Sequence, residues 1–250
     1  MEWPGALPKI KSKKIDSIKL LDQEVIECRR CPRLVDWREE VALEKRKSYQ
    51  EERYWGKAVP GFGSTRARLL IVGLAPGAHG ANRTGRIFTG DSSGDWLYAS
   101  LHKNGLAKMA TSISRGDGQK LFDTRITCTV KCVPPGNKPE RGEILQCRSW
   151  LEREFSLLWR DTRTYLTLGA IAWSSTIETL LSLGEEIPRR RPKFTHGANF
   201  TFLGSDGNIR LVIGSYHPSQ QNTFTGRLTR SALDSVVKKA GRFAHAGEPL

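Results

Sequence analysis

Residues Leu69 to Ala78 constrain the fold of this chain more than any other stretch. The run Arg68-Leu-Leu-Ile-Val-Gly-Leu-Ala75 is almost wholly apolar and leads directly into Pro76-Gly77. Such a run, without alternating polar residues, is typical of a parallel strand buried on both faces. Its glycine-rich exit then lies at the carboxyl end of a sheet, where α/β proteins place their sites. It is also the longest apolar run of the 250 residues, far short of the roughly 18 that a membrane helix needs. No membrane partner is expected, and the lysines near the N-terminus have no apolar stretch behind them to make a secretory signal.

The remaining pattern alternates helices and strands. Ile15, Ile18, Leu21 and Val25 recur at helical spacing over 15–27, and a charged second helix follows over 33–54. An irregular loop spans Gly56 to Thr65. After the first strand, helices are expected over 94–107, 140–159 and 171–183, with strands over 125–132 and 164–169. Phe200–Leu203 and Arg210–Gly214 flank a Ser-Asp-Gly-Asn turn and read as a hairpin, and a helix from Thr229 to Phe243 closes the chain. The sum is a three-layer α/β/α sandwich with a central, mainly parallel four-stranded sheet. Residues 1–14 read as a basic flexible arm and 15–250 as one domain.

Charge and cysteines narrow the chemistry. Forty Lys and Arg against 26 Asp and Glu leave +14, a surface that attracts polyanions, nucleic acid first among them. Cys28 and Cys31 form a C-x2-C knuckle, and Cys132 and Cys147 follow after a long gap. Four thiolates suit tetrahedral zinc or a four-iron cluster. The fifth, Cys128, sits in the strand Arg125–Lys131 and fits a buried free thiol.

Three loops leave the same end of the expected sheet. The first runs from Gly73 through Gly77, His79, Arg83, Arg86 and Phe88 to Asp91, and its glycines let the backbone pass close to a ligand. It is not a Walker loop, which ends in Gly-Lys-Ser/Thr. The second carries Pro134-Pro-Gly-Asn137-Lys-Pro139, and the third His217-Pro-Ser-Gln220-Gln221-Asn222-Thr-Phe-Thr-Gly-Arg227-Leu-Thr229. Taken singly, Asp91 reads equally well as a helix cap and His217 as a turn residue.

Together these segments resemble the uracil-DNA glycosylases of type B, or family 5, from about Cys28 to Thr229. The resemblance implies a monofunctional enzyme that removes uracil and other deaminated bases, hypoxanthine and xanthine among them, from DNA. It implies a 4Fe–4S cluster on Cys28, Cys31, Cys132 and Cys147, with zinc the alternative that the thiolates alone leave open. Asp91 would stabilise the sugar cation and orient water, His217 would stabilise the departing base, and Asn137 would assist. Phe88 would stack on the everted base, with Gly73, Ala75, Gly77, His79 and Cys128 around it. Gln220, Gln221 and Asn222 would enter the gap in the duplex, and Arg83, Arg86 and Arg227 would reach phosphates. The enzyme would act as a monomer in the cytoplasm, associated with the nucleoid.

Two departures from other glycosylase groups matter. The best-known group has a catalytic Asp where Ala75 stands, and the thermophilic type A group has Glu where Leu74 stands. Family 5 shares this absence, which leaves Asp91 as the replacement. Relatives strict for uracil read it with an Asn on the second strand, where this chain has Cys128. A thiol lacks the paired donor and acceptor of an amide, so discrimination should relax. A non-catalytic module that holds damaged DNA is the alternative reading. A zinc deaminase is disfavoured because its His-x-Glu signature is absent.

Overall fold

The structure, a computed structural model, describes residues 16–246. The expected basic arm, 1–14, lies outside the described residues. One sheet of six strands runs in the order β1-β3-β2-β4-β6-β5. The strands are β1 (Phe62–Gly63), β2 (Leu69–Gly73), β3 (Thr124–Cys128), β4 (Thr164–Leu168), β5 (Asn199–Leu203) and β6 (Ile209–Ser215). The four inner strands β3, β2, β4 and β6 are parallel, as expected. The two edges are antiparallel: β5 is the first arm of the expected hairpin, and β1 is a short pairing inside the Gly56–Thr65 loop.

The apolar run explains the layering. Every residue of β2 is buried, and alternate side chains point to opposite faces. Leu69 and Ile71 join the core under α4 (Ser92–Lys103) and α8 (Arg230–Ala246). Leu70 and Val72 join the core under α1 (Ile18–Ile26), α2 (Pro32–Glu44), α5 (Arg141–Leu158) and α6 (Ala170–Ser182). Sheet with helices on both faces is the expected sandwich.

Local chemistry sets the helix limits. Pro32 opens α2, and Glu140 with Glu143 forms a capping box on α5. The expected helix over 33–54 stops at Glu44, because Lys45 turns the chain into the left-handed region at φ 54°. The expected strand over 125–132 ends at Cys128, and the chain beyond it turns toward the cysteines. Short helices α3 (Ala81–Thr84) and α7 (Gln220–Phe224) lie inside loops that the pattern left irregular.

A buried ion network ties α1, β3 and α5 together behind this turn. Arg125 Nε bonds Glu154 Oε1 at 2.6 Å, Lys131 Nζ bonds Glu154 Oε2 at 2.9 Å, and Asp22 pairs with Arg125. Burial pushes the Glu154 carboxyl up, but Lys131 and Arg125 outweigh it and hold the group at about 2. Lys131 is thereby fixed beside Cys132. Among the described residues no helix is long and apolar enough to cross a membrane.

Candidate active site

Gly73 and Cys128 are register partners at the carboxyl ends of β2 and β3, and Leu168 and Ser215 are partners at the ends of β4 and β6. The loops that carry the candidate residues leave from this end. The first loop doubles back through α3 and returns to β2 at Phe88. A Cβ added at Gly73 would lie 2.9 Å from Phe88 Cε2 and 3.1 Å from Cys128 Sγ. Only glycine lets the Phe88 ring settle so close to the strand. Phe88 itself holds φ 51°, a conformation unfavourable for a bulky residue.

His217 completes this cluster from β6. Its ring centroid lies 5.6 Å from that of Phe88, with the planes tilted by 31°. Burial lowers the imidazole to about 4, so it is neutral near pH 7 and keeps one N–H to donate. Asn222 Nδ2 donates to the His217 carbonyl at 2.8 Å and braces the third loop. Burial pushes the Cys128 thiol up to about 12, so it too is neutral.

Asp91 has two duties. Its Oδ1 accepts from the Gly94 N–H at 2.9 Å and caps α4. Its Oδ2 faces the first loop: a Cβ at Gly80 would lie 1.9 Å from it, and one at Gly77 3.1 Å. The carboxylate is therefore turned inward against these glycines rather than toward bulk water. Burial raises its carboxyl above the ordinary value, opposed by the Gly94 N–H.

Other expected site residues stand differently. Arg83 and Arg86 are 9% and 5% exposed and do not reach outward to phosphates. Arg83 pairs with Glu52, donates to the His79 carbonyl at 2.7 Å and to the Gly90 carbonyl at 3.0 Å. Arg86 pairs with Asp117 and donates to Thr89 Oγ1 at 3.0 Å and Ser112 Oγ at 2.7 Å. Both clamp the first loop into shape, a duty set by acids distant in sequence. Ala75 packs toward the α5 and α6 side. His79 bonds Tyr54 Oη through Nδ1 at 3.0 Å. Asn137 is exposed in a short turn at φ 57°, and no contact joins its side chain to Asp91 or His217 among the described residues.

Gln220 and Gln221 are exposed, whereas Asn222 is engaged in the brace just described. The residue that sequence reasoning missed is Phe224, 81% exposed at the end of α7. Its signal was a single aromatic in an otherwise polar stretch. Arg227 lies exposed with its guanidinium 4.4 Å above the Tyr216 ring.

On the other face of the sheet, Cys28, Cys31, Cys132 and Cys147 line one hollow with Leu34, Val35, Val130 and Trp150. Donors are aimed at three of the sulfurs: Arg38 at Cys132 (3.1 Å), the Lys131 N–H at Cys147 (3.3 Å) and Trp150 Nε1 at Cys28 (3.4 Å). Arg38 is fully buried, and its nearest carboxylate, Glu39, stands 3.9 Å away. A buried cation without a close carboxylate and a set of N–H groups converging on sulfur fit thiolate ligands. Among the described residues no three His, Cys, Asp or Glu side chains are gathered as a ready-made site for one ion.

Comparison with known proteins matches residues 60–240 to the model of the uracil DNA glycosylase superfamily. A type-5 uracil-DNA glycosylase of Mycobacterium leprae is 49% identical over 228 residues, covering 91% of this chain and 96% of that protein. One of Thermus thermophilus is 46% identical over 222 residues, covering 89% and 96%. A type-4 uracil-DNA glycosylase of Sulfurisphaera tokodaii is 28% identical over 206 residues, covering 82% and 76%.

Proposed function

We propose that this chain, which belongs to the uracil DNA glycosylase superfamily, is a DNA repair hydrolase that everts uracil and other deaminated bases and cleaves them from deoxyribose. The observation that carries the reading is the Asp91 carboxylate turned against Gly77 and Gly80 of the same loop whose Phe88 ring meets His217. Mere DNA binding does not require an inward-turned carboxylate together with an aromatic platform and a neutral imidazole.

Cleavage moves the electron pair of the glycosidic bond onto the base and leaves positive charge on the sugar. Asp91 Oδ2 supplies negative field to that cation and accepts the proton of the water that adds to it. Its Oδ1 is already held by Gly94, so the group is oriented before substrate arrives. The base stacks on Phe88. The closeness of the Phe88 and His217 rings leaves no room for a third ring between them, so His217 meets the base at its edge. There its N–H donates to a carbonyl oxygen that gains charge. A neutral imidazole still carries one N–H and can donate it to that oxygen. Asn137 holds water or sugar from the second loop.

Cys128 borders the pocket where an amide would read uracil. A thiol makes no paired test, so hypoxanthine and xanthine are accepted beside uracil. Phe224, with Gln220 and Gln221, fills the gap in the duplex once the nucleotide has left it. An exposed aromatic gains stacking there that it lacks in water.

Cys28, Cys31, Cys132 and Cys147 hold a 4Fe–4S cluster that ties the end of α1, the start of α2, the loop after β3 and α5 together. Its contribution is structural, and the Arg38 guanidinium balances its negative charge. Zinc on the same thiolates is the second reading; iron and sulfide content with visible absorption separates the two. The function is tested with oligonucleotides carrying uracil, hypoxanthine or xanthine, incubated with the protein and treated with alkali. Strand breaks at all three support the reading. Breaks at uracil alone remove the broad specificity, and tight binding without breaks favours the non-catalytic module.

A further inference from the structure

The most concentrated charge on the molecule is not in any of the three loops. Pro188-Arg189-Arg190-Arg191-Pro192-Lys193 connects α6 to β5, and all four cations are exposed. The only hydrogen bond of their side chains among the described residues runs from Arg191 Nη1 to the Pro188 carbonyl, 3.1 Å. The neighbouring acid Glu185 is turned away, bound to the Ser205 N–H and hydroxyl at 2.9 and 2.6 Å. Glu186 is exposed but offsets only one of the four charges. Pro192 disfavours helix at Arg191, and the cations lie on an irregular strap that bends at Arg189 and Arg190.

The strap is fastened to the cleft. Phe194, the next residue, packs 6.0 Å from Tyr216 and 6.1 Å from Trp173. The Gly197 N–H bonds the Gly214 carbonyl and the Gly214 N–H bonds the Ala198 carbonyl, each at 2.8 Å. The Tyr216 N–H donates to His196 Nδ1 at 3.3 Å. Residues 194–198 are thus knitted to the carboxyl end of β6, one residue from His217. Tyr216 lies between this segment and the Arg227 guanidinium. With Arg83 and Arg86 buried, Arg227 and the strap that ends at Phe194 supply exposed cations on the β6 side.

We infer that Arg189, Arg190, Arg191 and Lys193 grip the phosphate backbone of the DNA flanking the everted nucleotide. This rests on the reading that the cleft takes DNA. Exposed cations without carboxylate partners gain most from a polyanion, and Phe194, directly after Lys193, is fastened at the sheet end where the substrate would enter. The strap adds affinity without reading sequence, because phosphate contacts carry no base information.

The test is the salt dependence of DNA binding. Anisotropy titrations use a duplex longer than the cleft and carrying an abasic analogue. Wild type is compared with the quadruple variant Arg189→Gln, Arg190→Gln, Arg191→Gln, Lys193→Gln. A second variant replaces the three arginines by lysine, and Arg160→Gln alters an exposed cation at the opposite end of the sheet. Loss of two or three phosphate contacts makes the slope of log K against log salt shallower by roughly 2–3, at about 0.9 per contact. The lysine variant should keep the slope, since phosphate binding needs charge rather than a fork. An unchanged slope in the quadruple variant overturns the inference. So does an equal change per charge in Arg160→Gln, which would mean that net charge alone is read. Base release by wild type is scored separately. A protein that shows the slope change but releases no base contradicts the proposed function and keeps the strap.

Discussion

The five cysteines divide between the two faces of the sheet, and the two sides are built on opposite terms. Cys128 and Cys132 are only four residues apart, yet Cys128 belongs to the core beneath α4 and α8 while Cys132 belongs to the core beneath α5 and α6. On the Cys132 side, burial pushes the thiols up, to about 11 for Cys132 and about 12 for Cys147, and N–H donors converge on the sulfurs. That side joins segments distant in sequence, with Arg38 Nε and Tyr165 Oη buried without a hydrogen-bond partner among the described residues. On the Cys128 side, Asp91 and His217 are half-buried, and among the described residues neither Oδ2 of the one nor the ring of the other makes a hydrogen bond. Sulfurs that already receive N–H donors hold a structure; a carboxylate oxygen and an imidazole without such partners are left for a substrate.

The largest expected effect breaks that division by exchanging cysteines. Cys147→Ala should lose bound metal and fold stability together, because apparent metal binding energy of a buried thiolate site is folding energy. Cys128→Ala should keep the metal and lose roughly 1–2 kcal/mol, the cost of a small buried cavity. Metal analysis beside thermal melts decides it, and equal effects would erase the distinction between the faces.

Next is His217→Leu, which removes one donor from the leaving base. Base release should fall about 10²–10³-fold. In wild type, release should not lose His217 function on acidification until pH approaches 4, because burial has already kept the ring neutral. Stability carries the same sign. The unfolded chain takes up a proton near pH 6.5 that folded His217 refuses, so stability is lost as pH falls from about 6.5 toward 4. His217→Leu should flatten that part of a melting profile.

Phe224→Ala should reduce base release from duplex about tenfold and leave single-stranded substrate nearly untouched, since only the duplex has a gap to fill. An equal loss on both would tie Phe224 to the pocket instead. Smallest is the contrast between two arginines. Arg227→Gln should make the salt slope of binding shallower by about 0.9. Arg83→Gln should leave the slope alone and lower the melting temperature, because its side chain serves Glu52 and the loop carbonyls.

The sheet was legible in sequence because a parallel strand announces itself as an apolar run, and β2, β3, β4 and β6 stand where the pattern put them. The cap on α4 was legible for a similar reason: Asp91 followed by small residues is a local signal. Burial of Arg83 and Arg86 was not, because their acids lie about thirty residues away, and which surface a charged loop residue turns toward is decided by tertiary packing. The inward turn of Asp91 Oδ2 depends on Gly77 and Gly80 meeting it, a proximity no spacing encodes. The basic strap was in plain view as a charge run, but only the pairing of residues 194–198 with β6 puts it beside the cleft.

The central claim is that the Asp91 carboxylate supplies the field that drives base release. Asp91→Asn keeps the shape and the cap on Gly94 and removes the charge. Single-turnover release from a uracil duplex should fall by about 10²–10⁴-fold, with DNA affinity unchanged. The melting temperature at neutral pH should hold or rise, because burial disfavours the ionised carboxylate that the substitution removes. Near-wild-type release by a folded Asp91→Asn protein would contradict the account.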